Sequence, residues 1–220
     1  MCGRYTLTQS AEAIAAAFGL DAVPEMEPRY NIAPTQSVPV ILYSPEKQRQ
    51  LKLMRWGLIP SWAQDSSIGA RLINARSETV SEKPSFRAAF RQRRCLVVAD
   101  GFYEWQRQEH KKQPYYFQLQ DKQPFGFAGL WEHWQSSDGE DINTCTILTT
   151  EANELMRSIH NRMPVILNPQ DYTLWLNSAA QPTELQDLLR PYSSQAMNSY
   201  PVSTLVNKST NNSPECINSL

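Results

Sequence analysis

The sequence predicts a single α+β domain in which an antiparallel sheet system carries a few short helices, and three observations lead there. Strand-like apolar runs recur at 38–43 (VPVILY), 50–56, 95–99 (CLVVA), 102–106, 115–119 (YYFQL), 125–131 (FGFAGLW) and 144–149, with turn residues between them. Helical patterns interrupt the series at 8–18, 83–93, 151–159, 169–177 and 182–190. No internal repeat and no Pro/Gly/Ser linker divides the 220 residues, a length that one core can serve.

In chain order, 8–18 (TQSAEAIAAAF) is Ala-rich and stops at Gly19, which predicts a first helix with a glycine end. Pro24, Pro28, Pro34 and Pro39 then punctuate 24–39 and predict a stretch without regular structure. Thr150 before Glu151 reads as a helix cap, and Pro169 suits the first turn of the next helix. Residues 207–220 (NKSTNNSPECINSL) are polar and predict a disordered tail, so the domain is expected to span 1–206.

With 41% hydrophobic and 20% charged residues, the composition excludes disordered, collagenous and disulfide-framework classes. No apolar run approaches the ~18 residues of a membrane span, and the first residues lack the pattern of a secretory signal, so a cytoplasmic protein is expected. The four cysteines (2, 95, 145, 216) form no C-x-x-C pair and there are three histidines (110, 133, 160), which argues against a zinc site; no metal and no cofactor are expected. Cys95 and Cys145 lie in strand-like runs and read as inert core thiols, whereas Cys216 falls in the polar tail.

Charge is polarised along the chain. Residues 1–112 carry 16 Lys+Arg against 11 Asp+Glu, and residues 113–220 carry 5 against 11. Seven of the basic residues (Arg71, Arg76, Lys83, Arg87, Arg91, Arg93, Arg94) crowd into 71–94 beside two acids, which fits an anion-binding face and a solvated helix face equally well.

The second residue has an unusual address. Initiator methionine is generally removed before a small side chain, so Cys2 would carry both a free α-amine and a thiol. With an α-amine pKa near ~7.7–8.0 and a thiol near ~8.5, the amine can attack an aldehyde at neutral pH and the thiol can close the imine into a five-membered thiazolidine. A buried small residue at a tied-down terminus is the competing reading, and position alone does not separate the two. Glu104 stands among aromatics in GFYEW; buried, its carboxylate would need a partner or a raised pKa, and pointing outward it would be solvated. His160 follows a helical pattern and is either a dipole partner or a general acid/base. Asn74 and Arg76 share a side if their segment is extended, Arg4 stands two residues from Cys2, and Trp62 in the PSWA loop is expected to be exposed. Together these groups suggest carbonyl chemistry on an anionic substrate. The sequence has no phosphate-loop, serine-elbow or HExxH pattern.

Eight blocks in order, MCGRYTL at 1–7, RYNIAPTQ at 29–36, RWGLIPSWA at 55–63, INARSETV at 73–80, RRCLVVADGFYEW at 93–105, AGLWE at 128–132, TILTT at 146–150 and IHNRMPVIL at 159–167, resemble the SRAP (SOS-response-associated peptidase) family over most of the chain. The resemblance implies a barrel-like antiparallel β core flanked by helices. It also implies recognition of an abasic deoxyribose in single-stranded DNA or at a single- to double-strand junction, by a monomer, with covalent capture through a Cys2 thiazolidine that shields the lesion. Carried over, Cys2 is the nucleophile, Asn74 steadies the sugar, Glu104 handles protons, and His160 assists reversal or a lyase-type elimination. Arg4, Arg76 and Arg162 fit as phosphate contacts and Trp62 as a neighbour of the bases; peptidase activity would be removal of what precedes Cys2. The sequence departs from the family at Asn161, where an acid is common. Two rivals remain at this stage, an N-terminal-nucleophile amidohydrolase using the Cys2 thiol and a noncatalytic single-strand binder.

Overall fold

The computed structural model describes residues 2–109, 111–136 and 138–220. The chain runs β1 (Tyr5–Leu7), α1 (Ala11–Phe18), β2 (Arg29–Ile32), β3 (Ser37–Tyr43), β4 (Arg49–Trp56), β5 (Asn74–Arg76), α2 (Arg87–Gln92) and β6 (Arg94–Ala99). It continues through β7 (Gly101–Gln108), β8 (Lys111–Leu119), β9 (Phe125–Gln135), β10 (Asp141–Glu151), α3 (Glu154–Arg157), β11 (Arg162–Pro164), α4 (Tyr172–Leu176), α5 (Pro182–Asp187) and β12 (Met197–Pro201). Helix α1 forms where the Ala-rich segment predicts it: the Ser10 side chain accepts the Ala13 N–H, and Gly19 ends the helix in the left-handed region at φ 62°. Its buried residues Ala11, Ile14 and Phe18 make one stripe, with Phe18 stacked on Tyr172 at 5.4 Å.

Five strands close on themselves. β4, β3, β6, β9 and β10 pair in that order, and β10 returns to β4 to complete a barrel that leaves no open edge among them. β10 is long enough to hold β5 and β11 beyond the ring. A second sheet, β12-β8-β7-β1-β2, packs against the barrel. Tyr5 of β1 meets Trp56 and Phe127 edge-on at 5.2 and 5.9 Å, and Phe102 of β7 stacks on Phe117 at 5.1 Å. Each such buried ring contributes about 1.5–3 kcal/mol. Gly101 is required here, because a Cβ would come within 2.1 Å of the Tyr116 hydroxyl.

Four expectations need correction. The barrel is not wholly antiparallel, since β10 pairs in parallel with β4 (Thr144↔Arg55, Cys145↔Trp56) and with β5 (Ile147↔Asn74). Apolar runs reveal strands but not the direction of their pairing. Residues 24–39 are not free of regular structure: Pro28 and Pro34 flank β2, and Pro39 precedes the β3 residues Val40 and Ile41 that pair with β6. Thr150 is not a helix cap, because β11 keeps Thr149 to Glu151 in the sheet; Asn153 caps α3, accepting the Met156 N–H at 3.0 Å.

The fourth correction concerns 207–220. This segment is folded onto the second sheet, with short helical turns at 204–207 and 214–217 and a bridge from Val202 to Ser219. Cys216 is buried. Buried polar groups hold it: the Asn31 amide donates to the carbonyls of Lys208 and Asn211 at 3.1 and 2.8 Å, and the Tyr200 hydroxyl donates to the Ile217 carbonyl at 3.0 Å. Polar composition misleads where the fold satisfies the backbone with buried polar side chains in place of apolar contacts.

Candidate active site

β1 pairs with β7 through Tyr5↔Phe102 and Thr6↔Gly101, and the Tyr103 N–H donates to the Arg4 carbonyl at 3.0 Å. That register, carried two residues further, sets Gly3 opposite Glu104 and so delivers Cys2 to the same place. Both are buried. Burial first, and then the charge of Glu104, push the Cys2 thiol up to about 12. Its sulfur lies 3.8 Å from the Arg4 carbonyl.

The N-terminal strand is held by a buried carboxylate. Asp100 accepts from the Thr6 hydroxyl at 2.5 Å, from the Thr8 hydroxyl at 2.7 Å and from the Gln9 N–H at 3.1 Å, and the Thr8 N–H donates to it as well. The Thr6 hydroxyl also bonds the Tyr116 hydroxyl at 2.9 Å.

A cleft of about 400 Å³ opens beside Glu104, lined by Arg4, Glu104, Trp105, Arg107, Lys112, His160 and Asn207. Cys2 is not among the lining residues; it is buried, near enough to Glu104 for that charge to act on its thiol. His160 follows α3, its N–H bonded to the Met156 carbonyl at 2.9 Å, and Gln106 of β7 ties the turn by donating to the Ser158 carbonyl at 3.1 Å. The ring Nδ1 lies 3.0 Å from the Arg162 N–H and 3.2 Å from the Arg162 carbonyl. Nδ1 therefore has a backbone partner in either tautomer, which fixes the plane of the ring at the cleft.

The cleft's outer wall comes from the C-terminal segment. The Arg4 guanidinium donates to Asn31 Oδ1 at 2.8 Å and to the Val206 carbonyl at 2.7 Å, and it lies 5.9 Å from the Trp105 ring centre. Burial lowers its pKa from the usual guanidinium value. Trp105 in turn donates through Nε1 to Asn207 Oδ1 at 2.7 Å.

The other expected site residues are dispersed. Asn74 and Arg76 share the outer face of β5 with Ala75 buried between them. Asn74 donates to the Ile73 carbonyl at 2.9 Å, while its buried Oδ1 has no hydrogen-bond partner among the described residues. Arg162 is already engaged, by both Glu78 oxygens and by the Thr149 carbonyl at 2.6 Å, and it draws the Glu78 carboxyl below its ordinary pKa. Trp62 is 58% exposed as expected, but it lines a separate cleft with Arg71.

The basic stretch 71–94 divides. Arg94 is buried, binding the carbonyls of Trp175 and Arg91 at 2.7 and 2.6 Å, and Arg93 pairs with Glu132 at 2.7 Å; Arg71, Arg76, Lys83, Arg87 and Arg91 stay exposed. Cys95 and Cys145 are buried core thiols whose pKa values burial raises. His110 lies outside the described residues, as does Met1. Asp100, Asn31 and Asn207 carry no local sequence signal, since each acts through contacts far along the chain; Trp105 stands next to Glu104 in GFYEW, an adjacency that marks it.

Comparison with known proteins gives one answer from three directions. Residues 1–209 match the family model "SOS response associated peptidase (SRAP)". The chain is 49% identical over 224 residues to the Bacillus subtilis abasic site processing protein YoqW, with both chains covered in full. It is 36% identical to the Xenopus tropicalis abasic site processing protein HMCES, over 87% of this chain and 66% of that one. A crystal structure of a protein from Bacteroides thetaiotaomicron superposes with a TM-score of 0.91 at 29% identity, covering all of both chains. No described helix is long and apolar enough to cross a membrane. With its barrel, its buried second-residue cysteine and these relatives, the chain belongs to the SOS response associated peptidase (SRAP) family.

Proposed function

We propose that this chain processes abasic sites in DNA and does so by covalent capture: once Met1 is removed, Cys2 forms a thiazolidine with the aldehyde of an abasic deoxyribose in single-stranded DNA or at a single- to double-strand junction. The relatives named as abasic site processing proteins supply the substrate class. The observation that carries the chemistry is convergence: Arg4, Glu104 and His160 line one cleft, and the buried Cys2 thiol feels the charge of Glu104.

The steps follow from these groups. The closed sugar must open: His160 gives a proton to the ring oxygen as the C1′–O bond breaks, and the C1′ hydroxyl passes its proton to Glu104 as the C=O bond forms. The Cys2 amine then adds to C1′; the C–N bond forms, a proton passes from nitrogen to the carbonyl oxygen, and water leaves to give an imine. Glu104 carries that proton. The thiol adds across the C=N bond, sulfur to C1′ and its proton to nitrogen, and the five-membered ring is complete. Sulfur attacks last and intramolecularly, so the step needs no standing thiolate. The amidohydrolase reading, with the Cys2 amine as base for its own thiol, is separated by substrate: a small amide would be cleaved with no adduct to DNA. Asn74 Oδ1 is an acceptor for a sugar hydroxyl or the amine, Arg4 and Arg76 are cations for the flanking phosphates, and Arg162 fixes His160. Crosslink reversal or elimination would use the same acid and base, and autopeptidase action would expose Cys2. We place the protein in the cytoplasm as a monomer acting on DNA.

The test is denaturing electrophoresis after incubation with a single-stranded oligonucleotide bearing one abasic site. Wild type is expected to run as a protein–DNA adduct, Cys2→Ala to give none, and Cys2→Ser, which keeps the amine but closes a poorer ring, to give far less. Equal adduct from Cys2→Ala would overturn the reading.

A further inference from the structure

We propose that Arg107 and Lys112 form a second phosphate subsite, one that holds a backbone phosphodiester of the same DNA strand at the outer rim of the cleft. The inference rests on the abasic-site reading and extends it to a part of the surface that reading does not use.

Three observations support it. Arg107 on β7 and Lys112 on β8 are directly opposite each other in the antiparallel ladder, so their side chains share one face with their Cβ atoms about 4.5–5.5 Å apart. Two like charges in that relation destabilise a hairpin, and neither side chain makes an ion pair among the described residues. A ligand carrying negative charge relieves the repulsion. Second, both residues line the cleft that holds Arg4, Glu104 and His160, so an anion bound between them is contiguous with the reacting groups. Third, Arg107 is two residues from Trp105 along an extended strand, about 7 Å away on the same face. Trp105 is fixed by Arg4 on one side and Asn207 on the other, so the subsite stands at a set distance from Arg4.

The pair could in principle take the phosphate of a free sugar phosphate or that of a DNA strand. The strand is favoured because Arg4 already supplies a cation near the sugar, and the second cationic pair lies further along the cleft, where a small ligand would not reach both. Phosphate contacts of this kind set affinity and register on the strand without reading sequence.

The experiment measures equilibrium binding of an oligonucleotide carrying an abasic analogue that lacks the aldehyde, so that no capture occurs, as salt is raised. Arg107→Ala with Lys112→Ala is expected to weaken binding about tenfold and to make the log–log salt dependence shallower by about 0.7 for the one phosphate lost from a single strand. Lys52→Ala, an exposed cation outside the cleft, is the charge control. Neutralising phosphates one at a time as methylphosphonates should reveal one position whose loss weakens wild type but not the double variant. Deoxyribose phosphate should compete at most weakly in either protein. If the double variant binds with wild-type affinity and salt slope, the subsite is wrong while the abasic-site reading stands. If deoxyribose phosphate displaces the oligonucleotide from wild type but not from the double variant, the strand assignment is wrong. If wild type neither binds the analogue nor is captured by the true abasic oligonucleotide, both fail together.

Discussion

Two buried carboxylates, four residues apart at the start of β7, do different things. Asp100 accepts from two hydroxyls and two backbone N–H groups of residues 6–9. Glu104, equally buried, acts through its charge on the Cys2 thiol and lines the cleft with Arg4 and His160. One fastens the N-terminal strand; the other faces the chemistry that strand delivers. The contrast teaches that burial alone does not mark a functional carboxylate: Asp100 is surrounded by donors of the N-terminal strand, whereas Glu104 borders a substrate-sized cleft.

The contrast can be broken from either side. Glu104→Gln should cut the rate of covalent capture by about 10²–10⁴-fold, the range for loss of a positioned acid/base, with little change in melting temperature. Single-turnover kinetics beside a thermal scan checks both halves, and a large loss of stability with normal capture would exchange the two roles. Asp100→Ala should cost about 3 kcal/mol in a urea titration, because several donors lose their acceptor at once. Its capture defect should follow the unfolded fraction and be relieved by cooling.

Asn31→Ala is a milder cut, at about 1–2 kcal/mol, since it removes one of the two acceptors of the Arg4 guanidinium and unfastens the C-terminal segment together. Limited proteolysis should then cleave within 207–220 first. The smallest effect is on pH dependence. The folded thiol of Cys2 ionises at about 12, above its unfolded value, so its contribution is fully present below pH 9 and is lost as pH rises from there towards 12. Over that window Cys2→Ala should lose stability more slowly than wild type, by on the order of 1 kcal/mol per pH unit. Urea midpoints from pH 8 to 11 would show it; parallel curves would mean that the thiol is not buried as described.

Much of this was legible in the sequence. Strand runs such as CLVVA and FGFAGLW mark the barrel because branched and aromatic residues suit a pleated, buried surface. The site residues were named from their chemistry and the family blocks. Glu104 could not be oriented from one strand, because alternation within β7 gives no sign of which face is covered; that depends on β1, some hundred positions away. The role of Asp100 likewise lies in partners at residues 6–9, and that of Asn31 in carbonyls beyond residue 205. Local patterns carry no record of such contacts. The polar composition of 207–220 predicts disorder for the same reason, since its order depends on polar side chains elsewhere in the chain. Arg94 shows the reverse error, a basic residue in a charged stretch that is in fact a buried clasp for carbonyls.

The central claim, that Cys2 closes a thiazolidine on an abasic sugar, is tested most directly by intact mass spectrometry of the protein after incubation with the abasic oligonucleotide, with and without borohydride. The expected result is a protein lacking Met1, an adduct whose mass is the sum of protein and oligonucleotide less one water, and the same mass after borohydride, because the ring has no C=N bond left to reduce. An adduct that borohydride reduces and that persists in Cys2→Ala would mean a simple imine, and no adduct from a protein lacking Met1 would contradict covalent capture altogether.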